Sequence, residues 1–396
     1  MNFNDNHKRT RARSSSASSL LWEHPSAKKK RQVVRSQRET LPIYPFRKKI
    51  VDAIRNSPVV VIVGATGSGK STQIPQYLLD VPTSRDKRVL VREDQCVAIT
   101  QPRRVAATTV AKRVAQERSS KLGNEIGYAV RFDDCSCPKT RVRFVTDGLL
   151  LREAMIRRDL GRYRVIILDE AHERSLHTDI LLGFLKGLLK GKRKKNLHVV
   201  IMSATLNAVA FSSFFDNAPV LRIEGRQHPV RMMYTHEPQP DYVDAIINTL
   251  LQIHLDQGRK EGDVLAFLTG QDEIESIATI LRERIEDILR DSDPSTRPLQ
   301  MLVCPIFAAL PSDQQMKVFE QTPPNHRKIV LATNIAESSI TIPGIRFVVD
   351  AGFSKQRSYR AKTGVECLLV TPISQEQAWQ RSGRAGREAP GMYRYV

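Results

Sequence analysis

Residues 64–71 read GATGSGKS, directly after the apolar run VVVIV and before a stretch with helical spacing. Glycines at Gly64, Gly67 and Gly69 let the backbone wrap closely, so that loop N–H groups, those of Thr66 and Ser68 included, can converge on an anion. The following helix turns its positive end to the same point. Lys70 adds a point charge for phosphates, and Ser71 a hydroxyl for Mg2+. Asp169-Glu170-Ala171-His172 follows a second apolar run, VIIL. A buried strand delivers such residues to the sheet edge beside the phosphate loop. There Asp169 can help hold Mg2+, and Glu170, beside the metal, can take a proton from an attacking water. A third cluster, QRSGRAGR at 380–387, spaces arginines by three with glycines between. Arg384 and Arg387 could neutralise charge on a transferring phosphoryl group, or could form a basic surface. The phosphate-loop half holds no obvious finger of its own, which favours the first reading.

These groups need a scaffold that brings strand ends together, and the chain has one. Short apolar runs at Val59–Val63, Val97–Thr100, Val142–Val145, Val165–Leu168 and His198–Met202 read as buried strands. Helical stretches at Arg104–Arg118 and Ile180–Leu189 lie between them. The second half repeats the style, with strands at Val264–Leu268, Leu302–Pro305, Lys328–Ala332 and Phe347–Asp350, and helices at Asp272–Arg290 and Ser312–Phe319. The alternation predicts an α/β fold of two domains, each a parallel sheet flanked by helices, with ligands at the carboxyl ends of strands. Polar, Pro-containing Glu224–Gln239 is the expected link, dividing 41–225 from 226–396.

Residues 1–40 have no periodicity; ten Lys or Arg against three Asp or Glu carry +7 of the net +20. This predicts a disordered basic tail. Its Lys28-Lys29-Lys30-Arg31 run is either a nuclear localisation patch or a solvated arm. The overall charge points to an acidic polymer as partner. No apolar run approaches the ~18 residues of a membrane span, and the N-terminus lacks the apolar core of a secretory signal. Five scattered cysteines suit reduced thiols, and Cys135-x-Cys137 has no second pair at zinc spacing, so no zinc is expected.

Taken together, these segments resemble the superfamily 2 helicases, specifically the DEAH/RHA group. GATGSGKS is similar to motif I, TQPRRVAA (100–107) to Ia, TDGLLLREA (146–154) to Ib and DEAHER (169–174) to II. SAT (203–205) resembles motif III, FLTGQDEIE (267–275) motif IV, LATNIAESSITI (331–342) motif V and QRSGRAGR motif VI. ETLPIY at 39–44 resembles the group's entry segment. The match runs from Leu41 to Val396. It implies two RecA-like domains and an RNA-stimulated, ATP-dependent RNA helicase working monomerically in splicing or ribosome biogenesis, in the nucleus or nucleolus, with the cytoplasm open.

The resemblance also implies residue roles. Gln380 helps hold the water, and Arg384 and Arg387 are the fingers. Arg113 and Phe319 sandwich the base, so NTPs other than ATP are expected to serve. Thr341 remains near the sugar although Pro343 follows it. His172, Ser203 and Thr205 couple nucleotide state to domain closure. Arg103, Arg104, Thr146, Asp147, Thr269, Gly270, Thr333 and Asn334 lie in the motifs that grip the RNA backbone, which positions a strand without reading its sequence. Gly352–Ile373 matches a hairpin used near the duplex junction. Ala65 stands where many relatives have glutamate. The chain stops nine residues after Arg387, short of the group's accessory C-terminal domains, which bind activators, so processive unwinding is expected to suffer. Rival readings are an NTP-dependent RNA clamp or ribonucleoprotein remodeller, a DNA-directed helicase, and a fragment that binds RNA through its tail alone.

Overall fold

In the run VVVIVG every residue is buried, and successive side chains enter opposite faces of one sheet, Val60 and Ile62 on one side and Val59, Val61 and Val63 on the other. The computed structural model describes residues 36–396 apart from 37, 81–89, 93, 192, 205–207, 226–227, 238, 293–296 and 338–340. Most of the expected basic tail, and Thr205, lie outside the described residues.

The first sheet holds β1 (Val59–Gly64), β2 (Cys96–Gln101), β3 (Ile126–Val130), β4 (Asp133–Cys135), β5 (Val142–Thr146), β6 (Tyr163–Leu168), β7 (His198–Ser203) and β8 (Val220–Ile223). Their order is β4-β3-β5-β2-β6-β7-β1-β8, parallel except for the β3–β4 pair. Helices Arg47–Asn56, Lys70–Leu79 and Arg104–Glu117 cover one face; Asp147–Ile156, Leu176–Lys190 and Ala208–Phe214 cover the other. Because the chain leaves β1 and crosses to β2 beyond β7 and β6, the carboxyl ends of β1, β7 and β6 border one crevice, where open α/β sheets bind ligands.

The second sheet holds β9 (Val230–Tyr234), β10 (Asp263–Phe267), β11 (Gln300–Ile306), β12 (His326–Ala332) and β13 (Ile345–Asp350). A hairpin, β14 (Phe353–Arg360) with β15 (Val365–Pro372), stands apart, and β16 (Gly391–Tyr395) returns to the sheet. The order is β11-β12-β10-β13-β16-β9, parallel throughout.

The expected link narrows and the expected tail shortens. The stretch 224–239 is not all linker, because Val230–Tyr234 pairs with β16 as the sheet's outermost strand. An edge strand buries less and shows a weaker apolar pattern. The folded region also begins before residue 41: Arg38 donates to Gln73 at 2.9 Å and lies 3.9 Å from Glu117.

In the second half, β12 carries two buried cations that satisfy loop and helix-end carbonyls. Arg327 donates to the carbonyls of His254, Gly258, Lys260 and Gly262, and Lys328 to those of Val318 and Glu320. Each closes a connection with a charge-assisted bond that a neutral side chain could not replace. His254 is fully buried beside Arg327, with Nε2 3.0 Å from the Leu299 carbonyl. That carbonyl can only accept, so Nε2 carries the proton and Nδ1, which has no partner, is bare. Burial first, then the Arg327 guanidinium, lowers the ring's pKa to about 4.

The sign follows from the folded state refusing a proton that the unfolded state accepts. The stability from His254 is present above about pH 6.5 and is lost as pH falls toward 4, an upper bound of about 3 kcal/mol. Urea midpoints measured from pH 7 to 4.5 should fall for the native chain and fall less steeply for His254→Gln; equal slopes would assign the acid sensitivity elsewhere.

Candidate active site

The phosphate loop turns on two left-handed glycines, Gly67 (φ 83°) and Gly69 (φ 96°). Gly69 also packs where a Cβ would come within 3.0 Å of Ile43, and Ile43 N–H donates to the Ser68 carbonyl at 3.2 Å. The entry segment LPIY therefore buttresses the loop from outside. Lys70 begins the next helix. Its Nζ donates to the Gly64 and Ala65 carbonyls at 2.5 and 2.9 Å, bonds that a phosphate oxygen can replace. Burial lowers its pKa, while Glu170 and Asp169 oppose the shift. The Ser68 hydroxyl is buried without a hydrogen-bond partner, and Thr66 is half-buried. Ala65 packs closely on Gly225, where an added Cβ would lie 2.8 Å from its own.

Asp169 follows β6 and is buried. It accepts from Gln101 Nε2 at 2.6 Å, from the Glu170 amide at 2.9 Å and from the Ser71 hydroxyl. Burial, then the adjacent Glu170, raises its pKa to about 7. Glu170 is also buried, with φ 50°, a left-handed backbone uncommon for a residue other than glycine and of the kind found at functional sites. His172 Nδ1 accepts the Ala204 amide at 3.2 Å. That nitrogen holds no proton, so its 3.6 Å approach to Glu170 brings together two acceptors rather than an ion pair. The bond joins the loop after β6 to the end of β7, where Ser203 sits fully buried.

The three arginines of QRSGRAGR go to three places, because helix Gln375–Ser382 ends before the second of them. Arg381, fully buried, donates to Glu337 at 2.9 Å and Asp350 at 2.7 Å and lies over the Phe267 ring. It anchors the motif to the second sheet, a role the spacing alone did not reveal. Arg384 is buried, bonds the Glu337 carbonyl and has its pKa pushed well down by burial and then by Arg387. Arg387 crosses to the first domain. Its Nε and Cδ lie 4.0 Å from where a Cβ on Gly67 would stand, and Glu170 attracts it. Burial lowers it to about 10. It also donates to Thr341 Oγ1 at 2.6 Å, so that hydroxyl supports the finger here. Gln380 is half-buried on the helix. Gly386 packs against the interdomain link, where a Cβ would meet the His228 carbonyl at 2.6 Å.

Two buried cations, Lys70 and Arg384, and half-buried Arg387 thus face two buried carboxylates, one of them raised toward neutrality. The surplus of positive charge, with the bare Ser68 hydroxyl, fits a triphosphate carrying a divalent cation. Arg113 lies at the outer end of helix Arg104–Glu117 and is held by Glu117 at 2.7 Å. Glu117 also accepts from Gln73 and Gln76 of the phosphate-loop helix, at 2.8 Å each, and so ties Arg113 to that helix. Its only sequence signal was the i, i+4 pair with Arg113. Phe319 packs on the second domain's core.

The residues expected at a polymer backbone share one local geometry. Each pair falls at the first turn of a helix that follows a strand: Arg103-Arg104, Thr146-Asp147, Thr269-Gly270 before Gln271, and Thr333-Asn334. Free N–H groups at such turns suit phosphates. Two side chains serve the fold instead. Asp147 is buried and accepts from Thr178 at 3.0 Å, and Thr269 is buried and donates to Glu273 at 2.5 Å. Arg103 bonds the Asn334 carbonyl across the domain seam, and Val105 packs on the second domain. Lys355 of the hairpin lies over Gly270, 2.6 Å from where a Cβ would stand.

The family model for DEAD/DEAH box helicases matches residues 44–212, and that for the helicase conserved C-terminal domain matches 244–389. A pre-mRNA-splicing factor ATP-dependent RNA helicase DEAH10 from Arabidopsis thaliana is 46% identical over 400 residues, covering 91% of this chain and 54% of that protein. The crystal structure of the Escherichia coli DEAH/RHA helicase HrpB is similar with a TM-score of 0.78 and 35% identity, over 90% of this chain and 42% of that one. The chain spans about half the length of these relatives.

The geometry separates an arginine that crosses the seam from one that anchors its own domain. Arg387→Ala should leave the melting temperature nearly unchanged and cut ATP turnover by roughly 10³-fold. Arg381→Ala should destabilise the second domain by about 3–5 kcal/mol, since it leaves two carboxylates buried without their partner. Thermal melts and steady-state turnover on both variants check this; equal melts would remove the anchoring role.

Proposed function

This chain belongs to the DEAD/DEAH box helicase family, and on that premise we propose that it is the two-domain motor of an ATP-dependent RNA helicase. The observation that carries the reading is Arg387, a residue of the second domain, set beside Gly67 of the phosphate loop and within the field of Glu170.

A nucleoside triphosphate held at this seam touches both domains. Its phosphates take the loop amides and Lys70, which exchanges backbone carbonyls for phosphate oxygens. Ser71 and Asp169, with Glu170 beside them, would hold Mg2+, which supplies neutralising charge at the phosphates. Glu170 accepts the proton of the attacking water, with Gln380 helping to hold that water. Arg384 and Arg387 neutralise charge on the transferring group. Arg113 and Phe319 stack the base and Thr341 lies toward the sugar. Stacking reads a ring face, so GTP and CTP should also be hydrolysed.

The γ-phosphate would favour closure, because it offers negative charge to the fingers and the loop at once. The His172–Ala204 bond links Glu170 to Ser203, and Thr205 follows two residues later, so loss of the phosphate can reach the seam through these residues. RNA lies along the four helix starts, two in each domain, with contacts to its backbone. The Arg103–Asn334 bond joins the two halves of that track, so a change at the seam changes the grip. Repeated closure steps the motor along one strand, 3′ to 5′. The name of the Arabidopsis relative supports a nuclear role in pre-mRNA splicing, with ribosome biogenesis as the alternative.

Purified chain should hydrolyse ATP faster with single-stranded RNA than without, and Glu170→Gln should bind ATP but not turn it over. GTP and CTP should support turnover within about tenfold of ATP, since stacking discriminates weakly. ATP binding with no RNA stimulation would sink the motor reading. Stimulated turnover without strand displacement would favour a clamp or remodeller, and stimulation by DNA alone a DNA-directed enzyme.

A further inference from the structure

At the opposite edge of the first sheet, where β2, β6 and β7 begin, lies a cavity of about 460 Å³. Its lining includes Arg55, Arg92, Arg164 and Arg193 with Asn196 and His198. Among the described residues its lining holds no Asp or Glu; the carboxylates nearby are Asp52, beside Arg55, and Asp159, which attracts Arg193. The strands are six residues long, which puts this edge about 20 Å from Asp169, so the cavity is separate from the nucleotide site.

The arginines are held from behind by carbonyls. Arg164 Nε donates to Leu90 at 3.2 Å, and Arg193 Nη2 to Tyr163 at 2.5 Å. These bonds use part of each five-donor fork. The Nε atoms of Arg55 and Arg193 are buried with no hydrogen-bond partner. The nearest counter-charge to Arg55, Asp52, stands 3.7 Å away and outside the lining. Burial, then Arg193 and Arg92, lower the Arg164 pKa, and burial lowers that of Arg193 against the pull of Asp159. A fold under no functional constraint gains nothing from gathering like charges around an open volume. An anion with several phosphate groups removes the repulsion and uses planar forks in pairs. The volume suits a small molecule.

We propose that this cavity binds a small, multiply phosphorylated anion, at a site independent of the phosphate loop. The probe is inorganic tripolyphosphate, titrated by calorimetry into the Lys70→Ala chain, whose phosphate loop is disabled. One site should remain. Arg164→Gln with Arg193→Gln should weaken it by roughly tenfold or more. Exposed Arg92→Ala, with little risk to folding, should weaken it by about threefold. Saturating single-stranded RNA should leave it in place. No binding to Lys70→Ala, or binding untouched by the arginine substitutions, overturns the proposal. Displacement by RNA, or equally by sulfate at matched ionic strength, also overturns it, placing the probe on the RNA track or among bulk counter-ions. Should the double variant lose its circular-dichroism signature, Arg92→Ala decides.

Discussion

Lys70, Asp169, Glu170 and Arg384 are buried near one seam with Arg387 half-buried beside them, so three cations crowd against two carboxylates. The lysine and both fingers are pulled toward neutrality by burial, and so is Asp169. The members of this cluster come from two sheets, Lys70, Asp169 and Glu170 from the first and Arg384 and Arg387 from the second. On the proposed function, a ligand of complementary charge at the seam would link domain motion and nucleotide hydrolysis through this one electrostatic constraint.

The scaffold serves that constraint by keeping everything else neutral and packed. The strands that deliver the loop, Asp169 and Ser203 are buried over nearly their whole length and cannot shift without moving the core. On the second sheet, Arg381 with Glu337 and Asp350 performs the same task by charge. Glu337 is shared between that anchor and Arg384, because its carboxylate receives Arg381 and its carbonyl receives Arg384. The finger is thus carried by the same residue that fixes the motif to the sheet.

The strands with strong apolar runs were legible in the sequence, because burial on both faces writes itself as unbroken Val, Ile and Leu. Edge strands β4, β8 and β9 were not, since half-exposed segments carry mixed residues, and Val230–Tyr234 read as linker. Motif residues were legible as types, and their positions at helix starts followed from strand-to-helix order. What could not be read was which side chain faces the ligand. Asp147 and Thr269 look polar and available, yet their side chains close the helix starts on which the backbone is offered. Glu117 carries no sequence signal beyond its i, i+4 spacing from Arg113, yet it joins Arg113 to the phosphate-loop helix.

Arginine shows most plainly why type and spacing stop short of function. Arg327 closes loops by bonding four carbonyls, Arg381 anchors a helix, Arg387 reaches across a seam and Arg164 lines a cavity. The side chain is the same in each case; what differs is the partner. Where carbonyls or carboxylates hold the fork, as at Arg327 and Arg381, the arginine is structural. Where cations also crowd together, as at the seam and in the proposed cavity, the surplus charge favours an anion from outside. The positive charge of this chain is therefore not spread evenly as a solubilising coat, but gathered in part at places the fold leaves unbalanced.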